Sequence, residues 1–323
     1  MRVLVTGATG YVGGTLCERL LQRERSVTAL AREASDVSRL RSLGVEIVPG
    51  DIGDMDAVRA SVRGCEHVYH LAAATSWRKP AKREYYAVNV QGTENVARAA
   101  MEARVGRLVY ASTVGVYGLC RGSVDESTAP HPDSAYRESK LQGERVALTW
   151  AAKGLPVVIA RLSTIYGPGS FRWLKLSRAL LAGTARLVGS GQNRIHDVYI
   201  SDAVEGLRCC GESLSGAGGC YVLAGEAPVT LNRLVALLAD ELGVAPPHHR
   251  LPAAPFMVLH RACAGAYRGL GIGLPFSRNL DLFLDDRVFS ISKAQREVGY
   301  APGTSINHGM RDTIGWYRTK GYL

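Results

Sequence analysis

Apolar residues in the first half of the chain fall into short runs separated by longer amphipathic stretches, and this rhythm predicts β-strands alternating with α-helices. Val3-Leu4-Val5 leads into Thr6-Gly7-Ala8-Thr9-Gly10-Tyr11-Val12-Gly13-Gly14, and an amphipathic segment follows over residues 15–23. Strand, tight turn and helix are expected there in that order. Further strands are expected at residues 26–31, 45–48, 66–71, 107–111 and 157–160, with helices over 55–62, 84–103 and 135–152. Gly44 and Pro49 bracket the third strand, and Gly154-Leu155-Pro156 leads into the sixth. Strands alternating with helices imply right-handed crossovers and a parallel sheet covered on both faces. The expected fold class is therefore α/β, a doubly wound parallel sheet with ligands gathered beyond the carboxyl ends of its strands.

From Tyr166 onward the alternation fails. Gly167-Pro168-Gly169, Ser215-Gly216-Ala217-Gly218-Gly219 and Pro246-Pro247 interrupt helical patterns such as residues 231–242 and 253–270, and one strand-like run returns at 221–224. The reading divides the chain into a Rossmann dinucleotide-binding domain, residues 1–166 with 193–224 returning to it, and a smaller substrate lobe, residues 167–192 and 225–323. No internal repeat or low-complexity tract is visible.

With 323 residues the chain can bury one large core and add a smaller lobe. No apolar run is long enough for a membrane span, and the first residues enter a strand without a signal-peptide layout. The seven cysteines, Cys17, Cys65, Cys120, Cys209, Cys210, Cys220 and Cys263, are an odd number without metal-type spacing. They are expected to be reduced and buried, in a cytoplasmic protein. No metal site is expected. The formal charge of +10 comes from dispersed arginines, not from a stripe with interleaved aromatics, so no nucleic-acid partner is expected. A basic surface and a cavity suited to an anionic ligand share the explanation.

Glycines spaced three apart, Gly7, Gly10 and Gly13, between a strand and a helix form a candidate dinucleotide-phosphate cradle, because backbone amides can then approach a pyrophosphate. Arg32 ends the second strand, where a binder of unphosphorylated NAD would place an acid; an arginine suits the 2′-phosphate of NADP, or is simply solvated. Glu33 beside it would blunt the preference. Asp51 and Ile52 follow the third strand and are placed to meet an adenine ring, although Asp51, like Asp54, could instead cap the helix at 55–62. Ser112 and Thr113 follow the fifth strand. Tyr136 and Lys140, four apart on the next helix, share one face. An ammonium beside a phenol favours phenolate and is expected to lower the tyrosine's pKa toward working pH, by about 1 to 3 units.

At these residues the chain resembles the extended short-chain dehydrogenases/reductases, the group with nucleotide-sugar epimerases and dehydratases, dihydroflavonol reductases and 3β-hydroxysteroid dehydrogenases. The resemblance runs through Thr6 to Gly13, Gly50-Asp51-Ile52, His70-Leu71-Ala72-Ala73, Asn89-Val90-Gln91-Gly92-Thr93, Tyr110 to Gly118, Tyr136 to Lys140, Arg161, Tyr166-Gly167-Pro168-Gly169, Ser292-Lys293-Ala294 and Gly299-Tyr300. It implies Tyr136 as general acid or base, Thr113 as the hydroxyl that holds the substrate oxygen, and Lys140 as partner of the nicotinamide ribose. It further implies that Gly7, Thr9, Gly10, Tyr11, Val12, Arg32, Asp51, Ile52, Ala72, Ala73 and Asn89, with Tyr136 and Lys140, meet the cofactor. Sugar dehydratases of the group carry Asp-Glu directly after the threonine, whereas Val114 and Gly115 stand here. The asparagine that many nucleotide-sugar members have three residues past the strand-end arginine is replaced in Arg161-Leu162-Ser163-Thr164, and their later Arg-Asp reads Arg194-Ile195-His196-Asp197.

The leading expectation is an oxidoreductase that uses NADP, with NAD possible, to reduce a ketone or aldehyde on a small-molecule substrate. A nucleotide-sugar 4-epimerase with tightly bound NAD is the alternative, and a non-catalytic cofactor sensor is disfavoured by intact Thr113, Tyr136 and Lys140. Residues 253–274 read either as an apolar lid over the substrate or as a core helix, and His196 as a pocket residue or a structural one. The helices at 84–103 and 135–152, paired in relatives across a two-fold axis, suggest a homodimer.

Overall fold

The computed structural model describes residues 1–75, 81–118, 121–213, 217–270, 282 and 286–323. Among them, seven strands make one parallel sheet: β1 (Arg2–Thr6), β2 (Ser26–Ala31), β3 (Glu46–Pro49), β4 (His67–His70), β5 (Arg107–Thr113), β6 (Val157–Leu162) and β7 (Cys220–Leu223). Their spatial order is β7-β6-β5-β4-β1-β2-β3, so the winding reverses between β1 and β4. The crevice at such a reversal is where doubly wound sheets bind ligands.

The strands read as continuous apolar runs because both faces are covered. On β1, Val3 and Val5 point to one face and Leu4 to the other, and all three are fully buried. The first face packs on helix α1 (Tyr11–Leu21) through Leu16, Cys17 and Leu20, and on Ile200–Glu212 through Ala203, Val204 and Leu207. The second packs on α2 (Met55–Val62), α3 (Gly92–Glu102) and α4 (Ala135–Ala152) through Val58, Val96, Ala100 and Ala147. Trp150 of α4 donates its indole N–H to Glu94 of α3 at 2.8 Å, tying these two helices together.

Some elements differ from the sequence expectation; β6, like β5, runs two residues past its expected end. The single helix anticipated at 84–103 is Lys82–Tyr86, a π-helical turn at Ala87–Gln91, and then α3. Within that turn the Asn89 carbonyl accepts a hydrogen bond from the Thr93 hydroxyl at 2.8 Å, which a periodicity argument does not see. Strand β5 continues two residues past its expected end, to Thr113, whose hydroxyl then accepts from the Gly115 amide at 3.0 Å and starts a 3₁₀ turn over Val114–Tyr117. On the helix Ala253–Leu270, Val258 and Leu259 are exposed while Cys263 is buried. The remainder of the segment read as a lid, residues 271–274, lies outside the described residues. So does Cys120; the other six cysteines are free thiols.

Beyond Tyr166 the chain forms short strand pairs, Ile165–Tyr166 with Val198–Tyr199 and Arg194–Ile195 with Val229–Thr230, and the helices Leu174–Leu181, Leu231–Leu242 and Ile306–Thr319. The return at residues 220–223 joins the sheet beside β6, as expected.

Gly143 leaves room on helix α4 for the Tyr110 hydroxyl and the Asn89 carbonyl. A Cβ there would stand 2.2 Å from the Tyr110 hydroxyl and 2.5 Å from the Asn89 carbonyl oxygen. Gly143→Ala should gain about 1 kcal/mol of helix propensity but overpack this contact, at about 1–3 kcal/mol. The expected outcome is a lower urea midpoint; a higher one would show that α4 is not held at this distance.

Candidate active site

Strand register brings the carboxyl ends together. Thr6 pairs with Leu30 and His70, Ala31 with Pro49, His70 with Tyr110, and Thr113 with Leu162. Gly7, Arg32, Asp51, Ala72 and Thr113 therefore leave the sheet along one edge, and the sequence-expected residues of the first five strands meet there.

At the first of these ends the backbone forms an open cradle. Gly7 has φ +74°, and a Cβ on Gly7 would stand 2.7 Å from the Ala72 amide nitrogen. A Cβ on Gly13 would stand 2.2 Å from the Gly7 carbonyl oxygen. Helix α1 begins after Gly10 with no side-chain cap and no acid in its first turn. Its leading amides, from Tyr11 and Val12, have no intrahelical acceptor, and the helix dipole adds positive potential. The cradle fits a dinucleotide pyrophosphate. Thr9 and Gly10 are exposed at its rim, and Arg32 is exposed with no ion pair to any described residue. Asp54, not Asp51, caps α2, accepting from the Asp56 and Ala57 amides at 3.0 and 3.3 Å. Asp51 accepts from Gly53 at 2.8 Å and stays exposed; Ile52 is buried, and its carbonyl accepts from Asn95 at 2.9 Å.

A buried polar chain supports the far wall. The Ala72 amide donates to the Thr6 hydroxyl at 3.2 Å, which lies 2.7 Å from His70 Nδ1; His70 Nε2 lies 3.0 Å from the Thr93 hydroxyl. Thr93 spends its proton on the Asn89 carbonyl, so His70 donates from Nε2 and accepts at Nδ1. The imidazole is neutral, and burial pushes its pKa down to about 3. Asn89 continues the chain: its side chain accepts from the Ala74 amide at 2.8 Å and donates to the Ala74 carbonyl at 3.1 Å and to Ser139 at 2.9 Å. Ser139 in turn donates to the Tyr136 carbonyl at 2.8 Å. Asn89 is thus fully buried and spent on protein groups, an arrangement that positions residues 72–74 and the start of α4.

Tyr136 and Lys140 share one face of α4, which Ser134 caps by accepting from the Arg137 amide. Tyr136 is half-buried against Tyr85, with ring centroids 6.0 Å apart. Lys140 is buried with its ammonium 4.2 Å above the Tyr110 ring. The expected depression of the tyrosine pKa is not found: burial raises Tyr136 to about 12, and Lys140 is itself pulled down to about 7 by desolvation, against the attraction of Glu144. Burial disfavours the Tyr136 phenolate by more than the neighbouring Arg137 charge favours it.

Glu144, one turn past Lys140, is buried and takes both arms of Arg161, Nε at 3.0 Å and Nη2 at 2.7 Å. Ser112 donates to the same carboxylate at 2.5 Å, and Arg161 Nη1 donates to the Tyr117 hydroxyl at 2.8 Å. The sequence reading took Arg161 as a strand-end motif residue and passed over Glu144. The signal was the i, i+4 spacing from Lys140, which puts a carboxylate on the buried face.

Past the ends of β5 and β6 lies a small cavity of about 40 Å³, open to solvent on one side and bordered by Val114, Thr164, Arg172, Arg194, Asp197 and Arg287. His196 also borders it but is structural. Its Nδ1 accepts from the Phe289 amide at 3.1 Å, its Nε2 donates to the Gly225 carbonyl at 2.9 Å, and burial lowers its pKa. No group of metal-ligating residues is found among the described residues.

The model of the NAD dependent epimerase/dehydratase family matches residues 3–224. A 2-alkyl-3-oxoalkanoate reductase of Stenotrophomonas maltophilia is 31% identical, over 96% of this chain and 98% of the relative. A 4-hydroxy-2-methyl-3-oxo-4-farnesyl-3,4-dihydroquinoline-1-oxide ketoreductase of Stigmatella aurantiaca is 30% identical, over 96% of this chain and 95% of the relative. Among solved structures, the dTDP-glucose 4,6-dehydratase DesIV of Streptomyces venezuelae, with NAD and TYD bound, is 28% identical with a TM-score of 0.78, covering 100% of this chain and 99% of that one.

Lys140 makes stability depend on pH. Between its folded value of about 7 and its unfolded value of 10.5, the unfolded chain holds a proton that the folded chain has released. The unfolding free energy must then rise with pH in that window. Without nucleotide, the stability of the wild type relative to Lys140→Met should increase from pH 7 upward in urea titrations; a flat difference would contradict the buried, desolvated ammonium.

Proposed function

The chain belongs to the NAD dependent epimerase/dehydratase family and is an NAD(P)-dependent enzyme, and from that premise we propose that it reduces a ketone or aldehyde to an alcohol with exchangeable NADPH. The observation that carries the choice of NADPH is Arg32, an exposed guanidinium with no ion pair to a described residue, next to the glycine cradle in strand register. It suits a 2′-phosphate, whereas an acid would suit the free ribose hydroxyl. The choice of reduction is supported by the two reductase relatives and by Val114 and Gly115, which occupy a 3₁₀ turn where a dehydratase needs acids.

In this reading Gly7, Thr9, Gly10, Tyr11 and Val12 hold the pyrophosphate, Asp51 and Ile52 border the adenine, and Ala72 and Ala73 flank the cofactor, with their backbone positioned by Asn89. The reduced nicotinamide, when bound, supplies the hydride for the carbonyl carbon. Thr113 holds the carbonyl oxygen by a hydrogen bond. Tyr136 gives its phenolic proton to that oxygen as alkoxide character develops. Lys140 holds the nicotinamide ribose and, in its charged form, stabilises the phenolate left on Tyr136. Residues 167–192 and 225–323 form the substrate side, and α3 with α4 forms a homodimer face on which Leu148 is exposed. A nucleotide-sugar 4-epimerase with retained NAD is the second reading; the NAD-bound dehydratase of the same fold supports its cofactor.

Tyr136→Phe should lower kcat by about 10²-fold or more while NADPH affinity, followed by fluorescence, stays within about twofold because the lost hydroxyl acts on the substrate oxygen. Unchanged turnover would overturn both enzyme readings.

A further inference from the structure

We infer that the carbonyl substrate carries a carboxylate and that Arg172 receives it in the cavity beyond β5 and β6. The inference rests on the reductase reading and adds the substrate class. Val114, which follows Thr113, and Thr164, two residues past the end of β6, border this cavity, so it adjoins the position assigned to the reacting oxygen.

Its three guanidiniums are not equivalent. Arg194 is occupied by Asp286, with Nε and Nη2 donating to the two carboxylate oxygens at 2.9 and 2.7 Å. Arg287 contributes positive potential that bears on Asp197. Arg172 donates only from Nε, to Asp197 Oδ2 at 3.2 Å, and its guanidinium carbon stands 4.8 Å over the Trp173 ring. Neither Nη1 nor Nη2 of Arg172 hydrogen-bonds a described residue.

Two anchors therefore fix the plane of the Arg172 group. Asp197 and Trp173 are both buried, so these anchors are rigid. The edge left over is the two-pronged side of the guanidinium, which matches a planar carboxylate with two parallel charge-assisted hydrogen bonds. The Thr164 hydroxyl, likewise without a hydrogen bond to a described residue, adds a third donor on the same cavity. Among the described residues of this lining, Asp197 is the one acid, against three arginines.

The test has two arms. In calorimetric titrations of the protein loaded with the oxidised nucleotide it binds, octanoate should bind at least about tenfold more tightly than octanamide. Arg172→Lys, which keeps a cation for Asp197 but loses the fork, should remove that preference while the cofactor affinity shows the variant to be folded. Equal binding of octanoate and octanamide by the wild type, or a preference that survives in Arg172→Lys, would overturn the inference, as would tighter displacement by a nucleoside diphosphate than by octanoate. In the second arm, the ratio of kcat/KM for 3-oxooctanoate to that for its methyl ester should fall about tenfold in Arg172→Lys; an unchanged ratio would also overturn it. Failure of the reductase reading looks different: neither compound would support Tyr136-dependent NADPH oxidation, whatever the titrations show.

Discussion

The site depends on one buried ion pair, Glu144 with Arg161. Two charges removed from water are tolerable only when the geometry is good and every remaining donor and acceptor is used. Here the carboxylate holds both arms of the guanidinium and the Ser112 hydroxyl, and the guanidinium's other nitrogen holds Tyr117. The pair thereby fastens α4 to β5 and β6 at the point where position matters. Ser112 precedes Thr113, and Glu144 lies one turn from Lys140 and two turns from Tyr136 on the same helix. An apolar pair of equal volume would serve stability as well or better. It would lack the charge that opposes the desolvation of Lys140 and keeps that ammonium titrating near neutrality.

The second grip is the polar chain from Ala72 through Thr6, His70 and Thr93 to Asn89. It is made of neutral groups and so avoids the penalty of buried charge. It links the ends of β1 and β4 to the π-helical turn, and from there reaches Ala74 and Ser139. One face of α4 is fixed by the ion pair, and the carbonyl of Tyr136 is reached from the other direction by Asn89 and Ser139. Gly143 permits both by letting α4 come close to Tyr110 and Asn89. The backbone at residues 72–74 and helix α4 are thus each held by buried polar contacts.

Much of this was legible in the residues. The alternation of apolar runs gave the sheet because parallel strands are buried on both faces, and the glycine spacing located the cradle because only a bare backbone fits against Ala72 and Gly7. The reach of the reading ended where side chains decide the outcome. The π-helical turn at Ala87–Gln91 depends on Thr93 capturing a carbonyl, and the cap of α2 fell to Asp54 although Asp51 had equal claim by composition. Tyr136 was expected to be acidified by Lys140, yet burial of the phenol dominates and raises it. That balance depends on burial depth, which spacing on a helix does not report. Arg172 and Asp197 are 25 positions apart in the chain. Only the fold makes them neighbours.

The central claim is an exchangeable reduced cofactor at this site, and the most direct measurement is the nucleotide content of the purified protein together with its affinities. Released nucleotide is identified by mass spectrometry after denaturation, and the nucleotide-free protein is titrated with NADPH and NADH. The account predicts little retained nucleotide and clearly tighter binding of NADPH. A full complement of NAD surviving purification, with no preference for the 2′-phosphate, would contradict it and favour the epimerase.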